Sequence, residues 1–309
     1  MKKFSKNKCE ENIKVMVMEH CLLFGARGHL AQTKLIPNFK RQDVTYTSIS
    51  RKQKVDLREH YNKNVVAYMA IPTGKIMNHI EKYEDDFLRM KPTFVFEKPH
   101  GDSLKNFNEI CSYFDYYKYD YLFNDHYMFK NHILGLDNLC SNFSDIHTIE
   151  VNIKECGCIN DRLHYFETAG ILLDMYQSHV VMIFAKVLTK IYPNESLTNI
   201  LLDISETKFE VLDSGRYDTY KGYEDTYITL GMKYKETSLF CTLKKNADFY
   251  DRDKALYLYT DDVMRRMPLD DSDGYDVMVS KLRKGEHQDF LSRQQVYLLW
   301  KHIEYNETV

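Results

Sequence analysis

The stretch Gly25-Ala26-Arg27-Gly28-His29-Leu30-Ala31 decides how the first half of this chain is read. It follows a short apolar run, Cys21 to Phe24, and precedes a segment of helical character, Leu30 to Phe39, with Pro37 near its end. Strand, tight turn and helix in that order suit a dinucleotide pyrophosphate. Gly25 lets the chain turn sharply and Gly28 lets the backbone approach a phosphate. Ala31 is small enough for close packing of helix on sheet. Leu30 lies in the first turn of that helix, whose N-terminal N–H groups and dipole would face the anion.

Working outward, Val44 to Ile49, Val65 to Ile71 (closed by Pro72), Thr93 to Phe96 and Tyr119 to Phe123 read as further strands. Lys75 to Tyr83 and Leu104 to Tyr117 read as helices between them. Such alternation predicts a parallel sheet with helices on both faces. The pattern changes after about residue 145. Ile149, Val151 and Ile153 alternate with polar residues, and Phe166 to Leu188 is a long apolar helical stretch. Thr207 to Leu212, Tyr227 to Tyr234, Ser238 to Lys244 and Ala255 to Tyr259 follow as alternating segments without clear helices between them. They predict a largely antiparallel sheet. Pro268 to Gly274 reads as a polar loop, and Tyr275 to Lys284 and Arg293 to His302 as closing helices. The predicted fold class is α/β followed by α+β. An N-terminal Rossmann-type parallel sheet, residues 1–140, precedes a mainly antiparallel α+β domain, residues 141–309.

The 309 residues carry 42 Lys and Arg against 45 Asp and Glu. Near balance argues against nucleic acid or an anionic membrane as partner, so an anionic ligand must be met by a local basic cluster. Seven cysteines without regular spacing suggest reduced thiols. Cys156 and Cys158 have no second pair at zinc-site spacing. No segment reaches the roughly 18 apolar residues needed to span a membrane. The basic start, Met1 to Lys8, and the run Val15 to Met18, broken by Glu19, lack the core of a signal peptide. The expectation is a cytoplasmic protein.

Four further places carry chemistry. Ser50-Arg51-Lys52 ends the second predicted strand, with no acid between Val44 and Lys54. A guanidinium there, Arg51, suits a 2′-phosphate and favours NADP over NAD. Glu97-Lys98-Pro99 ends another strand, where open α/β sheets place their ligands. Lys98 could contact both a sugar hydroxyl and the reacting centre. His126, Tyr127 and Lys130 could collect a phosphate. A metal pair of His126 and His132 is disfavoured, because a spacing of six does not put two ligands on one helix face and no carboxylate completes the set. Finally His179 lies in an apolar helix with Asp174, Gln177 and Ser178. Four polar residues there are costly to bury without a purpose, and an imidazole is a natural base for a hydroxyl proton.

With these residues in hand, the chain resembles the glucose-6-phosphate dehydrogenase family, in a compact, shortened form, co-linearly over nearly its whole length. Gly25 to Ala31 is similar to the family's glycine fingerprint, and Ala70-Ile71-Pro72-Thr73 to its A-L-P-P segment. Glu97 to Gly101 is similar to E-K-P-F-G, Asp125 to Lys130 to D-H-Y-L-G-K, and Glu155 to the acid of K-E-P. Arg162, Tyr165-Phe166 and Gly170 mirror R-G-G-Y-F-x-x-x-G, and Asp174 to His179 follows D-x-x-Q-N-H. The tail, Gly285 to Phe290 and Trp300, resembles the closing G-x-x-x-x-F and A-W.

The resemblance implies that His179 is the base for the C1 hydroxyl proton and that Asp125 orients it. It implies that Lys98 positions the sugar near the nicotinamide, with a cis bond before Pro99. His126, Tyr127 and Lys130 would hold the 6-phosphate, and Glu155 and Asp174 the sugar hydroxyls. Gly25, Arg27, Gly28, Leu30, Ala31, Arg51, Ala70, Pro72 and Lys98 would bind NADP. Hydride would pass from C1 to NADP to give a lactone, as in the pentose phosphate pathway, with no metal and with a possible homodimer. Departures are Arg27 and His29 in the fingerprint, His100 for phenylalanine, Phe129 for glycine beside the phosphate cluster, and Ser178 for asparagine. The family's P-F-x-L-R-x-G-K segment is eroded at Leu239 to Asn246, where Lys244 or Lys245 stands in for its lysine. Two alternatives stay open: a relative acting on another sugar, and a catalytically degenerate nucleotide-binding homologue.

Overall fold

A computed structural model describes residues 17–50, 52, 54–138, 143–156, 163–217, 220–247, 249–269 and 274–307. Arg51, Cys158, Arg162, the basic start Met1 to Lys8 and much of the loop before Gly274 lie outside the described residues. Five strands, β1 (His20–Phe24), β2 (Tyr46–Ile49), β3 (Val65–Met69), β4 (Thr93–Glu97) and β5 (Tyr121–Asn124), form a wholly parallel sheet in the order β2-β1-β3-β4-β5. Every residue of β1 and β3 is buried. Central parallel strands covered on both faces read as continuous apolar runs for this reason. An aromatic cluster of Phe94, Phe96, Phe114 and Phe123 fills one side, with edge-on packing of Phe94 on Phe114 at 4.7 Å.

The helix after the glycine turn departs from the expected one. Its residues Ala31–Leu35 form a π-helical turn, which continues as α1 (Ile36–Arg41), so Pro37 lies inside the helix and not near its end. Proline has no N–H to give, and a wide turn just before it removes the demand for one. Beyond it come α2 (Ile76–Lys82), α3 (Glu84–Met90) and α4 (Leu104–Tyr116). The last is capped by Ser103 Oγ, which accepts from Asn106 N at 3.1 Å. No expectation covered α3. It opens with three acids, Glu84, Asp85 and Asp86, which suit the positive end of its dipole.

The second sheet has six strands: β6 (Thr148–Lys154), β7 (Glu210–Gly215), β8 (Tyr227–Tyr234), β9 (Thr237–Lys244), β10 (Asp253–Tyr259) and β11 (Met264–Pro268). Their order is β11-β10-β6-β9-β8-β7, and only β6 and β9 run parallel. A short α5 (Asn131–Leu134) links the two sheets. The long apolar stretch becomes α6 (Leu163–Ile171), a π-helical segment (Leu172–Val180) and α7 (Val181–Ile191). By length and hydropathy the run Tyr165–Ile191 suffices to cross a membrane, contrary to the sequence expectation, but most of it is buried inside the protein. In this half no expectation covered α8 (Leu197–Ser205), which falls between the apolar helical stretch and the first alternating segment, or β11, which ends at Pro268 where a loop was expected to begin.

The chain closes with α9 (Tyr275–Lys284) and α10 (Arg293–Glu307). Helix α10 packs on α4, α8 and the π-helical segment, and α9 on α1. Between them Leu291 forms an antiparallel bridge with Phe123 of β5. The C-terminal helices thus fix the first sheet against the helix that covers the second.

Candidate active site

The C-terminal edge of the parallel sheet supplies one side of the site. Gly25 follows β1, Ala70 follows β3, Lys98 follows β4 and Asp125 follows β5. Gly25 has φ +77°, and a Cβ there would meet the Ala70 carbonyl oxygen at 2.1 Å. The turn between β1 and its helix is therefore open only to glycine. Gly28 N donates to Gly25 O at 2.8 Å and closes the turn. Ala31 is wholly buried, as a small packing residue should be, whereas Arg27 and Gly28 are exposed at the turn.

A cavity of about 750 Å³ opens beside this edge. One side is walled by His29, Leu30, Thr33 and Lys34 from the helix and by Ala70 to Gly74 after β3. Those residues, with the glycine turn, could hold a dinucleotide. Its other side is walled by Lys98, His126, Tyr127, Glu155, Asp174, His179 and Lys245. Residues from four separate motifs thus meet around one space.

Two charged arrangements organise that side. In the first, His179 Nδ1 lies 2.5 Å from Asp125 Oδ1, which also accepts from Tyr127 N at 3.0 Å. Both side chains are buried. Burial pushes the Asp125 carboxyl up, but the His179 ring beside it outweighs this and holds it down at about 2. Burial also lowers the His179 imidazole below its ordinary value, and Asp125 only partly restores it. With Nδ1 engaged by the carboxylate, Nε2 is the nitrogen left for chemistry.

In the second, Lys98 Nζ lies 2.7 Å from Asp174 Oδ1 and also donates to the Asp174 backbone carbonyl. Lys245 Nζ lies 2.6 Å from Asp174 Oδ2 and 2.7 Å from Glu155 Oε2. Lys254 Nζ lies 2.7 Å from Glu155 Oε1. Burial opposes ionisation of Asp174 and Glu155, yet the lysines hold both carboxyls well below the usual range. Lys98 is raised by Asp174 against its own desolvation. Tyr165 OH adds a bond to Asp174 Oδ1 at 3.2 Å.

The structure separates the two lysines that the sequence left open. On β9, Leu239, Cys241 and Leu243 point inward and are buried, and Lys245 continues that row into the cavity. Lys244 faces the other way and pairs with Asp251 at 2.6 Å. The bond before Pro99 is cis.

His126 and Tyr127 line the cavity, while Lys130 is buried behind, its Nζ 5.0 Å from the centre of the Tyr127 ring. His126 is held well below the ordinary imidazole value, first by burial and then by His179, so it is neutral near pH 7. Its ring stacks on Tyr275 at 5.0 Å. Gly274 makes that contact possible, since a Cβ there would meet the His126 carbonyl oxygen at 2.1 Å. Phe129 points away into the core, 4.9 Å from Phe290, and is not beside the cavity. His100 is buried too, with Nε2 3.0 Å from Asn124 O. Glu97, absent from the expected site, lines the cavity and accepts from Tyr68 OH and from Asn124 Nδ2 at 2.8 Å. Desolvation raises its carboxyl.

Asp125, His126 and His179 also bring one donor atom each within 4.8 Å of one another, a set that could hold a cation. The His126 and His132 pair weighed from the sequence is not that set. Among the described residues Cys21, Cys111, Cys156 and Cys241 are free thiols.

Comparison with known proteins shows what the chain is similar to. The family model for the glucose-6-phosphate dehydrogenase C-terminal domain matches residues 127–238. The chain is 23% identical to a glucose-6-phosphate 1-dehydrogenase of Encephalitozoon cuniculi over 266 residues, which cover 71% of this chain and 59% of that one. Its matches thus span less than two thirds of the length of that relative. Among solved structures, glucose-6-phosphate 1-dehydrogenase from Mycobacterium avium superposes with a TM-score of 0.66 at 14% identity, over 92% of this chain and 91% of that one. The putative oxidoreductase yvaA from Bacillus subtilis gives 0.60 at 12% identity, over 94% and 96%. At such identities the structural matches concern the fold.

Proposed function

We propose that the chain, whose residues 127–238 match the model for the glucose-6-phosphate dehydrogenase C-terminal domain, is a member of that family and oxidises C1 of a hexose 6-phosphate with NADP as hydride acceptor, giving the lactone. The observation that carries this reading is His179, paired with the buried Asp125, facing the same cavity as Lys98 and the helix that follows the glycine turn. His179 Nε2 takes the proton of the C1 hydroxyl, and the Asp125 carboxylate stabilises the imidazolium that results. The nicotinamide, when bound, accepts the hydride. Lys98 draws the C1 oxygen and the cofactor side together, while Asp174 and Glu155 accept from sugar hydroxyls. His126, Tyr127 and Lys245 face the phosphate, with Lys130 supporting Tyr127 from behind.

Arg51, which follows Ile49 and Ser50 in the sequence, suits the 2′-phosphate of NADP. Residues 1–140 serve the dinucleotide, and residues 141–309 the sugar and, through the outer face of the second sheet, a homodimer. That face exposes Phe240. A cytoplasmic setting belongs to the same reading. The test is reduction of NADP by glucose 6-phosphate, followed at the reduced-nicotinamide absorbance, with NAD and other hexose phosphates in parallel. Turnover confined to a different sugar would move the assignment to that substrate. Nucleotide binding without turnover on any sugar would leave a binding homologue.

A further inference from the structure

Lys254 stands outside every motif discussed so far, and it is not among the residues that line the cavity. Its place follows from strand parity. On β6 the inward row is Ile149, Val151, Ile153 and then Glu155; on β9 it ends in Lys245; on β10 Leu256 and Leu258 point inward, and Lys254 is the next residue of that row. The strands are adjacent, with Ile153 opposite both Leu243 and Lys254. Three neighbouring strands therefore bring their last inward side chains, two lysines and a glutamate, to one end of the sheet.

The result is a chain of alternating charge: Lys254, Glu155, Lys245, Asp174, Lys98, joined at 2.7, 2.7, 2.6 and 2.7 Å. Lys245 is buried and both of its carboxylate partners are ionised. A sugar phosphate arriving at Lys245 must compete with them. With Lys254 present the chain has one cation more than it has carboxylates. Glu155 keeps Lys254 as its counter-ion when Lys245 turns to the ligand. Without Lys254 the two carboxylates consume both remaining lysines, and any anion must break an ion pair in a desolvated site.

We propose that Lys254 is a positioning residue for substrate binding: by neutralising Glu155 it releases Lys245 to engage the phosphate group of the sugar. This rests on the function proposed above, and it acts on binding of the anion rather than on the hydride step.

The test compares Lys254→Met, which keeps the aliphatic stem, with Lys254→Arg and with each change in a Glu155→Gln background. Lys254→Met is expected to raise KM for glucose 6-phosphate and the inhibition constant of inorganic phosphate by about tenfold, the scale of one lost charge pair in a desolvated site, with kcat within about twofold. Lys254→Arg restores both. In the Glu155→Gln background the same change has less than about a twofold effect, because the carboxylate that captures Lys245 is gone. Unchanged KM and phosphate affinity in Lys254→Met overturn the proposal, as does a loss confined to kcat or an equal loss in the Glu155→Gln background. Should Lys254→Met fail to fold, Lys254→Gln takes its place. Calorimetric binding of inorganic phosphate needs no turnover. Phosphate binding that depends on Lys254 in a protein without dehydrogenase activity would overturn the proposed reaction and keep this inference. A wild-type protein that binds neither phosphate nor sugar phosphate overturns both.

Discussion

The Nδ1 atom of His179 lies 2.5 Å from Oδ1 of Asp125; both side chains are buried, and the imidazole lines the cavity. The two residues are 54 positions apart, one from the end of a parallel strand and one from a π-helical segment. Their pairing fixes the ring, leaves Nε2 for a substrate proton, and places an anion where the imidazolium will form.

Replacing Asp125 by Asn should lower kcat by about 10²-fold or more, within the range of general base catalysis. The pH profile gives a second readout. His179 must be neutral to act, and its value is depressed by burial, so the acid limb of the rate should fall below the ordinary imidazole range and full rate should hold at pH 7. The Asp125 carboxylate raises His179. In Asp125→Asn the limb should therefore move further to acid. A shift to alkaline pH would contradict the arrangement.

Asp174→Asn should cost stability as well as activity. It leaves Lys98 and Lys245 buried with a neutral partner. Breaking a buried pair in this way typically costs about 3–5 kcal/mol. Denaturant unfolding should show the loss, and an unchanged midpoint would argue that these lysines are solvated.

Phe129→Ala should separate packing from chemistry. The ring is fully buried against Phe290 and does not line the cavity. A loss of about 3–5 kcal/mol is expected from the cavity left behind, with KM for the sugar phosphate little changed at temperatures where the variant stays folded. A large KM effect with intact stability would place Phe129 at the phosphate after all.

Stability should fall between about pH 6.5 and pH 4, before most carboxylates titrate. His20, His100 and His302 are buried and held down at about 4, in each case chiefly by desolvation. In this window the unfolded chain takes up protons that the folded chain does not, so stability decreases as pH falls through it. Thermal melting at pH 7, 6 and 5 checks the sign. A flat profile would mean that these rings accept protons without unfolding.

The parallel sheet was legible because its buried strands are short apolar runs closed by glycine, proline or charged turns, and its order of motifs matched the order of strand ends. The helix α8 and strand β11 were not, since Leu197–Ser205 follows a tyrosine-proline turn with mixed polarity and Met264–Pro268 is mostly exposed. Within the site, Asp174 and His179 illustrate a different limit. Five residues apart on an α-helix, they would diverge by about 140°. The i to i+5 spacing of the π-helical segment lets both face the cavity, and no simple periodicity announces such a segment. The choice of Lys245 over Lys244, by contrast, was available from the alternation of Leu239, Cys241 and Leu243. Lys254 could be found only once the strands were known to be neighbours.

The most direct test of the account is reduction of NADP by glucose 6-phosphate in the wild-type protein beside His179→Asn. Steady turnover is expected in the first and a loss of about 10²- to 10⁴-fold in kcat in the second, with sugar-phosphate binding retained. Equal turnover in the two proteins would contradict the role given to His179, and with it the reading of the site.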